Sequence, residues 1–165
     1  MPRSPAGGES TASVIVRAAG AADFDALVAL IRALAEFEKL PGPTDDAVAR
    51  LRADAFGEAP RFEVLLAELP EGPGEVVAYA IFFPTYSTFL ARPTLYLEDL
   101  FVHPRARRRG VASALLARLA ALAQERGCGR LEWMVLDWNA GAQALYDGLG
   151  AKRLEQWRLY RVELA

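Results

Sequence analysis

A mixed α/β fold is predicted from three observations. Runs rich in β-branched and aromatic residues alternate with segments whose apolar residues recur at helical spacing. Residues 95–136 read as strand, helix and strand, a right-handed crossover between parallel strands. The 165-residue length and a 53% hydrophobic, 24% charged composition suit one globular domain with a substantial core.

The elements follow in order. Residues 1–12 are small, polar and Pro/Gly-rich, a flexible tail ahead of a domain over 13–165. Val14–Arg17 is a short apolar strand. Ala22–Glu38 is a helix, with Phe24, Leu27, Val28, Ile31 and Leu34 on one buried face. Pro41-Gly-Pro43 breaks it, and Thr44 caps a second helix through Phe56, with Asp45 and Asp46 placed to favour the helix dipole. Phe62–Leu69 and Val76–Tyr86 form a hairpin across Pro70–Gly74. Thr94–Val102 is the next strand and Pro104 stops it. Val111–Arg126 is a helix with a Val111, Leu115, Leu116, Leu119, Leu122 stripe, ended by Gly127. Leu131–Leu136 is a strand, Ala140–Leu149 a helix stopped at Gly150, and Ala151–Leu154 and Trp157–Leu164 the closing strands.

Composition excludes several classes of function. A net charge of −2 leaves no basic excess to offset nucleic-acid phosphates. No segment reads as membrane-spanning and the N-terminus lacks a signal peptide's apolar core, so no membrane partner and a cytoplasmic location are expected. One cysteine, Cys128, allows no internal disulfide, fits a reducing compartment and reads as an inert thiol. One histidine and one cysteine make no zinc cluster, and no metal is expected.

The chemistry concentrates between Leu95 and Ser113. An apolar strand carries Glu98 and Asp99 and runs into four arginines, Arg105, Arg107, Arg108 and Arg109. Gly110 closes the loop, and a helix of small and apolar residues opens at Val111, Ala112 and Ser113. The first N–H groups of a helix have no intrahelical acceptor, and the dipole adds partial positive charge there. With Arg107, Arg108 and Arg109 beside them, the N–H groups from Arg108 through Ser113 make a site for a pyrophosphate. Arg105 reads as solvent-facing and His103 as a turn residue. Successive strand residues face opposite sides, so only one of Glu98 and Asp99 points into a cleft unless a bulge intervenes. Seven residues separate Asn139 from Tyr146, two turns along one helix face.

Arg107-x-x-Gly110-x-Ala112, Leu-Glu-Asp-Leu-Phe-Val and Trp138-Asn139-x6-Tyr146 together resemble the GNAT superfamily of N-acetyltransferases, and most closely its spermidine/spermine (diamine/thialysine) branch. The resemblance spans roughly residues 14–163 and is strongest over 95–151. It implies an acyl-CoA N-acyltransferase sheet whose central parallel strands splay apart. The pantetheine arm of acetyl-CoA would lie in that gap against Leu100, Phe101 and Val102, with Asn139 and Ala142 contributing from the last helix.

Acetyl transfer requires an amine free of its proton, a polarised thioester carbonyl and a proton for the departing thiolate. An aliphatic amine has a pKa near ~10.4 and is mostly protonated at neutral pH. The resemblance favours Glu98 as the acid at the substrate that takes that proton, directly or through water, and Tyr146 as the acid that protonates the thiolate. Asp99, Glu38 and Glu132 would add negative charge to an amine pocket. The tyrosine expected before Glu38 is Phe37 here, and the acid and tryptophan expected in the loop after the third long strand are replaced by Thr85-Tyr-Ser-Thr-Phe89. These departures point away from a long polyamine.

The reading is direct acetyl transfer to a small primary amine in a ternary complex. A non-catalytic acyl-CoA-binding module and a protein N-terminal or lysine acetyltransferase are the alternatives. The branch forms homodimers through its C-terminal region, so a homodimer is expected, with Trp133, Trp138 and Trp157 as core or dimer-face aromatics.

Overall fold

The computed structural model describes residues 13–164, so the tail expected at 1–12 lies outside the described residues. The described chain divides after Met134 into two compact units. In the first, five strands pair in chain order: β1 (Ile15–Ala18), β2 (Glu63–Glu68), β3 (Val76–Ser87), β4 (Arg92–Val102) and β5 (Arg130–Trp133). β1 to β4 are antiparallel neighbours, and β5 joins β4 in parallel. The parallel step needs a crossover, and α3 (Val111–Glu125) supplies it.

β2 and the first half of β3 are buried on both faces, so each face needs a cover. α1 (Phe24–Phe37) packs Leu27 and Leu30 on the face carrying Val64, Leu66, Tyr79, Ile81 and Phe101. α3 buries Val111, Leu115, Leu116, Leu119 and Leu122, the stripe read from its spacing. α2 (Asp45–Phe56) starts as expected, with Thr44 Oγ1 accepting from the Ala47 N–H at 3.3 Å. Helix α1 differs slightly from expectation. A 3₁₀ turn at Ala21–Asp23 precedes it, and Leu30 is buried where Ile31 and Leu34 pack only in part.

One correction bears on the site. β5 ends at Trp133 instead of Leu136. Its ladder with β4 runs from Thr94–Arg130 to Leu97–Trp133 and stops there, so Asp99–Val102 pair with β3 alone. The cause lies in β4. Phe82 faces Leu97 and Ile81 faces Asp99, so Glu98 opposes no residue and forms a bulge. A bulge bends its strand and ends regular pairing. The parallel ladder thus stops short of the end of β4, on the stretch where the resemblance implies a splayed gap.

The second unit holds α4 (Ala140–Gly148) and an irregular segment to residue 164. The strands expected at 151–154 and 157–164 do not form; the backbone there is irregular apart from a turn at 155–156. A strand exists only through a partner's ladder, and an apolar pattern supplies none. Trp157, Leu159, Tyr160, Val162 and Leu164 consequently remain exposed.

Candidate active site

The anion site is built by the turn between β4 and α3. His103 ends β4 with its N–H donating to Val77 O at 2.9 Å, and a 3₁₀ turn follows at Pro104–Ala106. The His103 Nδ1 accepts from the Arg105 N–H at 3.4 Å, the turn role its position predicts. Arg108 and Gly110 then take left-handed backbone angles, φ 59° and 78°. That conformation is ordinary for glycine and costly for arginine. The first backbone bond of α3 is Ala114 N–H to Gly110 O, and Gly110 offers no side-chain cap. Among the described residues, the backbone N–H groups from Arg108 to Ser113 find no protein acceptor. Successive donors at a helix start make an anion cradle suited to a diphosphate.

The four arginines divide by partner. Arg107 donates from Nε to Val102 O at 3.0 Å, and its guanidinium sits 4.9 Å from the Phe37 ring centre and 5.7 Å from that of Phe101. It ties the loop to the end of α1. Arg105 pairs with Glu75 at 2.7 Å, and Arg109 pairs with Glu71; both acids lie on the β2–β3 loop. Arg105 is exposed as expected but not solitary. Arg108 alone of the four has no hydrogen-bond or ion-pair partner among the described residues. The β2–β3 loop is itself anchored: Glu68 accepts from the Gly74 N–H at 2.6 Å and from Arg17 Nε at 2.7 Å.

The acids gather on the α1 face of the sheet. The bulge breaks the alternation of β4. Asp99 pairs with Ile81 and so shares its face, and the carboxylates of Glu98 and Glu38 both act on Asp99. The exception raised from the sequence, two neighbouring acids on one side, is what the bulge produces. Burial, then the charges of Glu98 and Glu38, pushes the Asp99 carboxyl up to about 6. Tyr79 Oη donates to Asp99 Oδ2 at 3.5 Å and opposes that rise. Glu98 and Glu132 flank Tyr96, whose phenol burial and these charges hold above its ordinary value. Glu132 is already paired with Arg130 at 2.9 Å. Glu38 caps the C-terminus of α1 and Glu98 is exposed. The first unit thus brings Glu38, Glu98 and Asp99 together, with Glu132 further along the same face.

In the second unit, Asn139 caps α4, its Oδ1 accepting from the Ala142 N–H at 3.2 Å. This leaves its Nδ2 as a donor. Ala142 and Tyr146 are half-buried one turn apart, and burial raises the Tyr146 phenol above its ordinary value, so it is protonated at neutral pH.

Tyr79, the partners of the arginines and the stacking of Phe37 on Arg107 were not legible in the sequence. Each depends on residues far apart in the chain. The Leu-Glu-Asp run offered one signal for the bulge, since two adjacent acids in a sheet strand conflict with simple alternation.

The sequence model of the acetyltransferase (GNAT) family matches residues 27–151. The chain belongs to the GNAT acetyltransferase family. A thialysine N-epsilon-acetyltransferase of Bos taurus is 41% identical over 160 residues, covering 92% of this chain and 94% of its own length. An L-ornithine N5-acetyltransferase of Arabidopsis thaliana is 41% identical over 96 residues, covering 57% of this chain and 42% of its own. The solved structure of AAC(6')-Iy in complex with a bisubstrate analog, CoA-S-monomethyl-acetylneamine, shares the fold at a TM-score of 0.73 and 22% identity, over 92% of this chain and 99% of that one. This GNAT protein is an acetyl-CoA-dependent N-acetyltransferase acting on an amine of a small molecule.

Proposed function

We propose that this acetyltransferase modifies the terminal primary amine of a short diamino acid of the thialysine type, by direct attack on acetyl-CoA in a ternary complex. The observation that carries the reading is the β4 bulge, which sets Glu98 and Asp99 on the face that holds Glu38. Among the described residues Asp99 has no cationic partner, so an incoming ammonium supplies the missing charge. Glu98, exposed and beside it, accepts the ammonium proton directly or through water. The free amine then attacks the thioester carbonyl. Tyr146 gives its phenolic proton to the departing thiolate.

The co-substrate is held by this chain's own donors. The N–H groups of Arg108–Ser113 and the Arg108 guanidinium meet its phosphates, Arg107 fixes the loop, and the unpaired edge of Leu100, Phe101 and Val102 offers backbone to the pantetheine arm. Asn139 Nδ2 and Ala142 serve the same arm from α4. With a base, an acid and this cradle, the chemistry needs no metal.

Two features favour a short acceptor. Thialysine and ornithine, the substrates in the two relatives' names, are amino acids with a terminal amine. The β3–β4 turn, where Phe89 is 100% exposed and Ser87 buried, has no acid to anchor the far end of a polycation. We further propose a homodimer, supported by the exposed apolar side chains of 157–164, and a cytoplasmic location, supported by the single cysteine.

The test is acetyl-CoA-dependent thiol release with thialysine, ornithine, lysine, spermidine and spermine. Thialysine or ornithine is expected to give the highest kcat/KM. A wide margin for spermine overturns the short-acceptor reading, and no turnover with any amine overturns the enzyme reading.

A further inference from the structure

Tyr79 is 0% exposed, held in the core between α1 and the sheet among Leu27, Leu30, Ile81 and Phe101. A phenylalanine would fill that volume equally well. A hydroxyl buried there needs a partner, and the one it reaches is Asp99 Oδ2 at 3.5 Å. The distance is long for O–H···O, so the Tyr79 hydroxyl alone does not use up the accepting capacity of Asp99. The groups facing Asp99 are Glu98 from its own strand, Glu38 from the end of α1 and the Tyr79 hydroxyl from β3. Arg107 is engaged with Phe37, Phe101 and Val102 O. Asp99 is therefore a half-buried carboxyl crowded by two like charges and supported by one neutral donor.

We infer that Tyr79 is a positioning residue for acceptor binding: its buried hydroxyl holds Asp99 Oδ2 from below and helps keep the carboxyl ionised, leaving Oδ1 for the acceptor ammonium. The inference rests on the placement of the acceptor at Glu98 and Asp99 proposed above. A donor to a carboxylate stabilises its charged form, so removing it makes Asp99 harder to ionise. This agrees with the direction in which Tyr79 acts on Asp99. The effect appears on the acidic side of neutrality. There the acceptor, with an amine pKa near ~10, stays fully protonated and contributes no break of its own to the profile.

The experiment measures kcat/KM for thialysine against pH in wild type, Tyr79→Phe and Asp99→Asn, with acetyl-CoA affinity by calorimetry. Losing one hydrogen bond to a charged group shifts the acidic limb in Tyr79→Phe upward by about one pH unit, and raises the thialysine KM near pH 6.5 about threefold. The kcat at saturating thialysine and alkaline pH, and the acetyl-CoA affinity, stay at wild-type values. In Asp99→Asn the part of the limb set by Asp99 disappears, leaving only what the proposed base Glu98 imposes, and adding Tyr79→Phe to it changes the KM no further. Should Tyr79→Phe fold poorly, 3-fluorotyrosine at position 79, a stronger donor, is expected to move the limb down. An unmoved limb in the Tyr79 variants, alongside the loss of its Asp99 part in Asp99→Asn, overturns the positioning role alone. A limb and KM unchanged in Asp99→Asn place the acceptor elsewhere, which overturns the reading on which the inference rests.

Discussion

Asp99→Asn is expected to stabilise the protein at pH 8 even as it weakens acceptor binding. In the fold the Asp99 carboxyl sits at about 6, against an ordinary value of 3.8, because it is buried beside Glu98 and Glu38. A carboxyl whose folded value lies above its unfolded one favours the fold only while it is protonated. That contribution is fully present below pH ~3.8 and is lost as pH rises through about 6. A rise of about two units corresponds to at most about 3 kcal/mol withdrawn from folding at pH 8, and to about half that at pH 5. Asparagine carries no charge to desolvate, can still accept from Tyr79, and turns N–H donors towards the two glutamates. For a chain of this size each kcal/mol moves Tm by about 2–4 °C, so Asp99→Asn should gain up to about 6–12 °C at pH 8. Thermal unfolding followed by circular dichroism at pH 5 and pH 8 reads both numbers. A gain at pH 8 no larger than at pH 5, or a loss at both, refutes the account of Asp99 as a destabilised, ionised carboxylate.

The other expectations concern the remaining parts of the site. Arg108→Glu sets a negative charge beside the N–H cradle and should weaken acetyl-CoA binding at least tenfold by calorimetry; unchanged affinity would move the diphosphate elsewhere. Tyr146→Phe should lower kcat by a factor on the order of 10² with acetyl-CoA affinity intact, and a near-wild-type rate with chemistry shown to be limiting would assign the thiolate's proton to another donor. Glu98→Gln should depress activity more at pH 7 than at pH 9.5, where more acceptor is already free amine; wild-type behaviour at both would rule Glu98 out as the base. Light scattering at micromolar concentration should show a dimer, and Val162→Lys, placed in the exposed apolar segment, should shift it towards monomer, whereas a monomeric parent would contradict the proposed assembly.

What the sequence determined by itself is what short-range physics writes into neighbouring residues. The α3 stripe from Val111 to Leu122, the cap at Thr44, the left-handed glycine at 110 and the cap at Asn139 each depend on a few adjacent positions, and each stands where periodicity and turn chemistry put it. The cationic loop and the Asn139–Tyr146 spacing belong to the same class, which is why a family resemblance was legible. Tertiary structure alone decided matters of register and partnership. Whether Glu98 and Asp99 share a face depends on how β4 meets Ile81 and Phe82 in β3, about seventeen residues earlier, and a shift of one residue exchanges the faces. Which arginine stays unpaired depends on Glu71 and Glu75 of a distant loop, and what lies beneath Asp99 depends on a tyrosine of the neighbouring strand. The C-terminal segment shows the limit from the other side. Its apolar pattern is that of a strand, but a strand is stabilised by the ladder of its neighbour, and residues 157–164 have none within the described chain.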